Sequence, residues 1–247
     1  MEKALSVKDL HVSYYGKEVV RNISFSFDTG KLIGVIGPNG AGKSTLMKAM
    51  LGLIPKDKGT VIINGRPLKE VRKQIAYVPQ RNNLDWDFPI NVLDTVLLGT
   101  YPKLGFFHRP KKEHKQWAME CLQRVGMEAY SKKQIGELSG GQQQRVFLAR
   151  ALAQKADMFF LDEPFVGIDI GSEETIVRIL KEIRDQGKTI LVVHHDLSKA
   201  REYFQELILL NQELIEFGKV EDVLQPEQIA KAYQGQLSFL KELAVKP

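Results

Sequence analysis

Gly37-Pro38-Asn39-Gly40-Ala41-Gly42-Lys43-Ser44-Thr45 decides the fold of this chain because of what stands on either side of it. The apolar run Leu32-Ile33-Gly34-Val35-Ile36 comes immediately before, and the helix-compatible run Leu46-Met47-Lys48-Ala49-Met50-Leu51 immediately after. The whole fits G-x-x-x-x-G-K-[ST] in a strand, loop, helix setting. Such a loop suits the clustered negative charge of a nucleoside triphosphate: Gly37, Gly40 and Gly42 let the backbone wrap closely and turn its N–H groups inward. A helix starting near Lys43 adds the positive end of its dipole, the Lys43 ammonium can reach the β- and γ-phosphates, and the Ser44 hydroxyl can ligate Mg²⁺. On its own the loop says only that the chain binds nucleotide, since many unrelated functions share it.

Toward the N-terminus, polar and apolar residues alternate from Ala4 to Tyr14 and from Val19 to Phe27, with Ile23, Phe25 and Phe27 on one face. These predict antiparallel strands with one buried side. Val61-Ile62-Ile63 runs into Asn64-Gly65, a type I′ hairpin signal. Toward the C-terminus, Ile75-Ala76-Tyr77-Val78 stops at Pro79-Gln80, and from Arg81 to about Lys155 aromatic-rich turns (Trp86, Phe88, Phe106, Phe107) give way to helical spacing at Glu113–Val125 and Gln142–Ala153. This predicts a mostly helical subdomain, about 81–155, inserted between two strands of the core. Met158-Phe159-Phe160-Leu161 and Thr189 to Val193 are apolar runs suited to strands buried on both faces. Between them Ile176, Ile179, Leu180 and Ile183 mark one helix face, with Ser172 as the expected N-cap and Gly187 just past the end. Strand, helix, strand in that order favours a parallel α/β core. Leu207–Leu210 and Leu214–Phe217 predict a terminal hairpin turning at Asn211-Gln212, followed by an amphipathic helical tail.

Two further stretches carry chemistry. Leu138-Ser139-Gly140-Gly141-Gln142 opens directly into a helix, which makes a second anion-binding cradle. One triphosphate needs only one cradle per chain, so the second points to a nucleotide held by a partner. Asp162-Glu163 ends the run Met158–Leu161, at the strand edge that faces the ligand crevice of a parallel sheet. There Asp162 can hold the Mg²⁺ shell and Glu163 can polarise an attacking water. Other residues are less decided by their chemistry. Gln80 is equally a turn residue after Pro79, and Tyr14 by its chemistry alone reads first as a half-buried strand aromatic. His194-His195-Asp196 suggests a metal site at first sight, but adjacent histidines at a strand exit point in different directions and lack a third partner at ligand spacing. His195 beside a phosphate is sensible, because its N–H can donate to developing negative charge.

Composition narrows the class further. The 247 residues suffice for one large domain with an inserted subdomain, and 43% hydrophobic with 26% charged residues is ordinary for a globular chain. No apolar run approaches the roughly 20 residues that cross a bilayer. Met1 to Leu5 enters a strand pattern directly, with no signal-peptide core, so the chain is expected to stay in the cytoplasm. Cys121, the single cysteine, allows no intramolecular disulfide and reads as a small core residue among Ala118, Met119 and Leu122. A net charge of +5 is mild and does not choose between a phosphate site, nucleic acid and an anionic surface.

Taken together, these residues resemble an ABC-transporter ATPase subunit over about Val7 to Tyr233: Walker A at Gly37–Thr45, the signature at Leu138–Gln142, and Walker B at Met158–Glu163. The resemblance implies a single ABC ATPase domain over 1–247, with a mainly parallel phosphate-loop core, a flanking antiparallel β layer and the inserted helical subdomain. It also implies ATP and Mg²⁺ as ligands. Gln80 matches the Q-loop glutamine that contacts Mg²⁺ and senses the membrane partner, Asp169 the D-loop aspartate, and His195 the switch histidine at the γ-phosphate. Tyr14, or the adjacent Tyr15, matches the aromatic that stacks on adenine. Where the family usually has S-A-L-D, this chain has Val166-Gly167-Ile168-Asp169, which keeps the aspartate. Two copies are then expected to sandwich two ATP molecules, each between one chain's Walker A and the other's signature.

The stretches Asn82–Ile90, Gly105–Pro110, Pro164–Asp169 and Val193–Leu197 are similar to the manganese/zinc/iron branch of bacterial metal importers. That resemblance implies permease partners on the inner face of the membrane and, indirectly, an external metal-binding protein. Trp86, Phe88 and Pro89 are expected to line an apolar groove for a permease helix, while nothing in the chain is expected to coordinate the cargo. A haem or iron-chelate importer, or an exporter, uses the same ATPase. A DNA-repair ATPase shares both cradles but separates them by a long coiled coil; here Lys43 and Ser139 stand 96 positions apart without a sustained heptad, and no nucleic-acid partner is expected.

Overall fold

The computed structural model describes residues 3–81, 86, 88–104 and 108–233. Strands β1 (Lys3–Tyr14), β2 (Lys17–Asp28) and β3 (Leu32–Ile36) precede α1 (Lys43–Met50). Then come β4 (Lys58–Ile63), β5 (Arg66–Pro67), α2 (Leu68–Val71) and β6 (Ile75–Val78), followed by α3 (Val92–Leu97), α4 (Lys112–Arg124) and α5 (Gly140–Ala153). Strand β7 (Met158–Asp162), α6 (Ile170–Asp185), β8 (Thr189–Val193), α7 (Leu197–Tyr203), β9 (Glu206–Asn211), β10 (Glu213–Lys219), α8 (Val220–Val223) and α9 (Pro226–Ala232) complete the chain. Among the described residues no helix is long and apolar enough to cross a membrane. The residues fall into two compact units, one of 3–28, 32–68 and 193–233, the other of 29–31 and 69–192.

In the first unit the alternation of the N-terminal strands is realised as a sheet of order β2-β1-β4-β5. The register pairs Leu5 with Phe27, Val7 with Phe25 and Leu10 with Ile23, so buried residues face the same side of both strands. The rings of Phe25 and Phe27 stack at 6.1 Å, and Phe217 of β10 closes on Phe25 at 5.9 Å. Asn64 and Gly65, both with positive φ (48° and 69°), form the expected two-residue turn between Ile63 and Arg66. Strand β3 is buried along its whole length and pairs in parallel with β9, which pairs antiparallel with β10 through the turn at Gln212.

In the second unit β7 lies between β8 and β6, with β6 parallel to β7. Every residue of β7 and β8 is buried, as continuous apolar runs require. Helices α3, α4 and α5 pack on one another, and Cys121 lies fully buried on α4. Helix α6 buries Ile176, Ile179, Leu180 and Ile183, each contributing about 1.5–3 kcal/mol by leaving water. Its start differs from expectation. Asp169 is the N-cap, its carboxylate accepting from the Ser172 amide, and Ser172 sits within the first turn. Both residue types cap well, so the pattern alone could not rank them.

Candidate functional site

In the first unit β3 delivers the chain into the glycine loop. Gly37 takes φ 148°, and a Cβ there would stand 2.0 Å from the Leu210 carbonyl oxygen, so only glycine lets the loop lie against β9. Two further bonds tie it down: the Gln212 amide donates to Ala41 O (2.8 Å) and the Arg21 amide to Gln212 O (2.7 Å). Gly42 is the N-cap of α1, with no side-chain cap and no acidic residue in the first turn. The Lys43 side chain, only 6% exposed, folds back so that Nζ donates to Gly37 O (2.8 Å) and Pro38 O (2.9 Å). The result is a prefixed concavity with an ammonium and an uncapped helix start, which fits a polyphosphate. Asn39 and Gly40 are exposed at its rim, and Pro38, Ser44 and Thr45 are half-buried.

Tyr14 ends β1 40% exposed, while Tyr15 is fully exposed in a left-handed turn with Gly16. The adjacent histidines do diverge. His194 is buried against Tyr203 and Phe204 and its amide donates to Val35 O of β3, whereas His195 is exposed.

In the second unit β7 carries Asp162 to a fully buried position. The Tyr77 hydroxyl bonds to it, and burial, then the Asp162 charge and this bond, hold the Tyr77 phenol well above its ordinary pKa. Sequence reasoning missed Tyr77; its signal was a polar handle in the otherwise apolar run Ile75–Val78. The next residue, Glu163, sits in left-handed backbone at φ 51°, and its Oε2 accepts from Gln80 Nε2 at 2.5 Å. A strained backbone that presents a carboxylate already engaged by an amide is the kind of outlier found at working sites.

Ser139 is the exposed N-cap of α5 in a capping box: its Oγ accepts from the Gln142 amide (3.3 Å), and Gln142 Oε1 accepts from the Ser139 amide (3.0 Å). The Ser139 hydroxyl hydrogen remains a donor. The glycines have a second reason to be glycine. A Cβ on Gly141 would meet Ser172 Oγ at 2.2 Å and Asp169 Oδ2 at 2.9 Å, so the starts of α5 and α6 are pressed together. Asp169 Oδ1 accepts from the Ser172 amide (2.9 Å) and Oδ2 from its hydroxyl (2.7 Å), which holds the Asp169 carboxyl below the usual range.

The structure thus brings Gln80 to Glu163, and Gly141 to Asp169. Trp86 is half-buried. Its ring makes a T-shaped contact with Phe147 at 5.4 Å and its indole N–H donates to Arg81 O, leaving Phe88 exposed. Residues 82–85, 87 and 105–107, part of the stretches that suggested a metal cargo, lie outside the described residues, as does the tail 234–247.

Residues 20–166 match the family model described as ABC transporter. The chain is 55% identical to the manganese transport system ATP-binding protein MntB of Halalkalibacterium halodurans, over 96% of this chain and 95% of that one. It is 49% identical to the zinc transport system ATP-binding protein TroB of Treponema pallidum, over 95% and 88%. Among solved structures it is similar to an inward-facing putative metal-chelate type ABC transporter (TM-score 0.84, 28% identity, 94% of this chain and 89% of that one). A dimeric bacterial ABC transporter cassette matches with TM-score 0.78 and 28% identity, over 87% and 98%.

Proposed function

This chain belongs to the ABC transporter family, and we propose that it is the ATP-hydrolysing subunit of a divalent-metal import system, with manganese the favoured cargo. We read it as one ATPase domain over 1–247 with a helical subdomain at about 81–155. The observation that carries the hydrolytic part is the pair Asp162 and Glu163 at the end of β7, one carboxylate buried and the other presented by strained backbone to Gln80. The cargo rests on the relatives, four of which at 50–55% identity are named for manganese transport.

In this reading the amides of Gly37 to Thr45 and the Lys43 ammonium hold the phosphates, and Tyr14 stacks on adenine. Ser44, Gln80 and Asp162 supply the oxygen donors that suit Mg²⁺, which when bound neutralises charge on the β- and γ-phosphates. Glu163 orients the attacking water and takes its proton, Gln80 restrains that carboxylate, and His195 donates to the γ-phosphate. Ser139 to Gln142 complete the site of a second copy, and Asp169 holds that cradle in place by clamping α6 against it. The chain works on the inner face of the membrane against permease subunits, with an external metal-binding protein delivering cargo. ATP binding closes the pair and hydrolysis reopens it.

Glu163→Gln tests this. It is expected to lower turnover by roughly 10²-fold or more while trapping an ATP-bound dimer. A chain that stays monomeric in ATP yet hydrolyses at full rate overturns the sandwich. With the permease in vesicles, ATPase stimulation by Mn²⁺ is expected; stimulation by an iron chelate alone, with none by any divalent cation, overturns the metal cargo.

A further inference from the structure

Arg81 follows Gln80 directly but turns the other way, toward the signature helix. Its Nε donates to Gln143 Oε1 at 2.8 Å, and its guanidinium carbon stands 5.6 Å from the Trp86 ring centre. A Cβ added to Gly140 would meet Arg81 Cζ and Nη1 at 3.3 Å, so the guanidinium lies against the first residue of α5. Gln143 is 2% exposed and its other end is also engaged, Nε2 donating to Ile135 O at 3.2 Å. One turn further, Phe147 makes a T-shaped contact with Trp86, whose indole N–H returns to Arg81 O. Arg81 and Trp86 therefore grip α5 at Gly140, Gln143 and Phe147, along its first two turns.

We propose that Arg81 is a positioning residue that makes the segment carrying Gln80 and the signature cradle one mechanical piece. Gln80 restrains Glu163, which serves the chain's own ATP. Ser139 at the start of α5 serves the partner's. Through Arg81 a displacement of Gln80 shifts both at once, which links the two nucleotide sites of a dimer through a single side chain in each copy. The link needs the planar fork rather than its charge. Nε must reach Gln143 while the rest of the guanidinium stays beside both the indole and Gly140, and a lysine ammonium can do only one of these. This rests on the sandwich reading proposed above.

The experiment uses the full chain with Glu163→Gln, titrated with ATP, and sedimentation to follow dimer formation. Arg81→Ala and Arg81→Lys are each expected to raise the half-dimerising ATP concentration roughly tenfold, and Gln143→Ala likewise, because it cuts the same bond from the other side. The double variant Arg81→Ala/Gln143→Ala is expected within about twofold of either single variant. Binding of a fluorescent ATP analogue to the monomer, which uses the glycine loop, is expected to be unchanged. Normal dimerisation of either Arg81 variant, additive effects in the double variant, or loss of monomer binding in step with dimerisation overturns the proposal. If the Glu163→Gln parent itself fails to dimerise, the sandwich reading falls first.

Discussion

Nε2 of Gln80 donates to Oε2 of Glu163 across 2.5 Å, joining residues 83 positions apart. The bond occupies one lone pair of the carboxylate proposed to activate water, so whatever moves Gln80 changes the basicity and aim of Glu163. Gln80→Ala is expected to bring the ratio of cargo-stimulated to basal hydrolysis close to one, with the basal rate altered by no more than roughly tenfold. The measurement is phosphate release by the permease complex with and without Mn²⁺. A Gln80→Ala complex still stimulated as strongly as the parent removes Gln80 from the coupling.

Tyr77 gives Asp162 a hydroxyl donor inside the protein. Hydrogen bonds to charged groups are worth about 1.5–3 kcal/mol, so Tyr77→Phe is expected to lower the melting temperature by several degrees. Freed of that donor, Asp162 is expected to favour a cation more, and the Mg²⁺ concentration for half-maximal hydrolysis falls. Unchanged melting and unchanged Mg²⁺ dependence remove the bond from the account.

Asp169 predicts an acid limit. Its carboxyl is held below the ordinary range first by the Ser172 hydroxyl and then by the Ser172 amide. A depressed native pKa means stabilisation present above the unfolded value of about 3.9, lost as pH falls through the lower native value. Asp169→Ala is expected to reduce the urea midpoint at pH 6, and the gap from the parent to narrow below pH 4. Asp169→Asn, which still caps, should keep most of the parent's midpoint at pH 6. A gap that does not vary with pH rules out the charged carboxylate as its source.

Burial pushes the Cys121 thiol up to about 12, so it stays neutral across the working range. A raised native pKa contributes stability below the unfolded value of about 8.5, which fades as pH climbs toward the native one. Iodoacetamide at pH 8 is expected to modify the native chain at least roughly 100-fold more slowly than the urea-unfolded chain, because the thiolate is the nucleophile. Equal rates would place Cys121 at the surface.

How much of this was legible depended on how local the cause was. Gly37 to Thr45, the run Met158–Leu161 and the turn Asn64-Gly65 are dictated by neighbours in sequence, and the structure has each where the pattern puts it. Residues whose role comes from distant partners were not legible. Nothing around Tyr77 announces Asp162, nothing around Arg81 announces Gln143, and Gly141 reads as a phosphate glycine until Ser172 is seen 2.2 Å from its missing Cβ. Nothing around Trp86 announces Phe147 either. Ser172 and Asp169 were confused because both satisfy the capping rule and only the backbone path separates them.

The left-handed backbone at Glu163 sets stability against activity at one position. An L-residue with a Cβ gives up about 1–2 kcal/mol in that conformation, which glycine does not and asparagine does less. Glu163→Gly should therefore relax the turn while removing the carboxylate, and a search for thermally hardier versions of this chain that ignored turnover would drift toward replacing the residue proposed to do its chemistry.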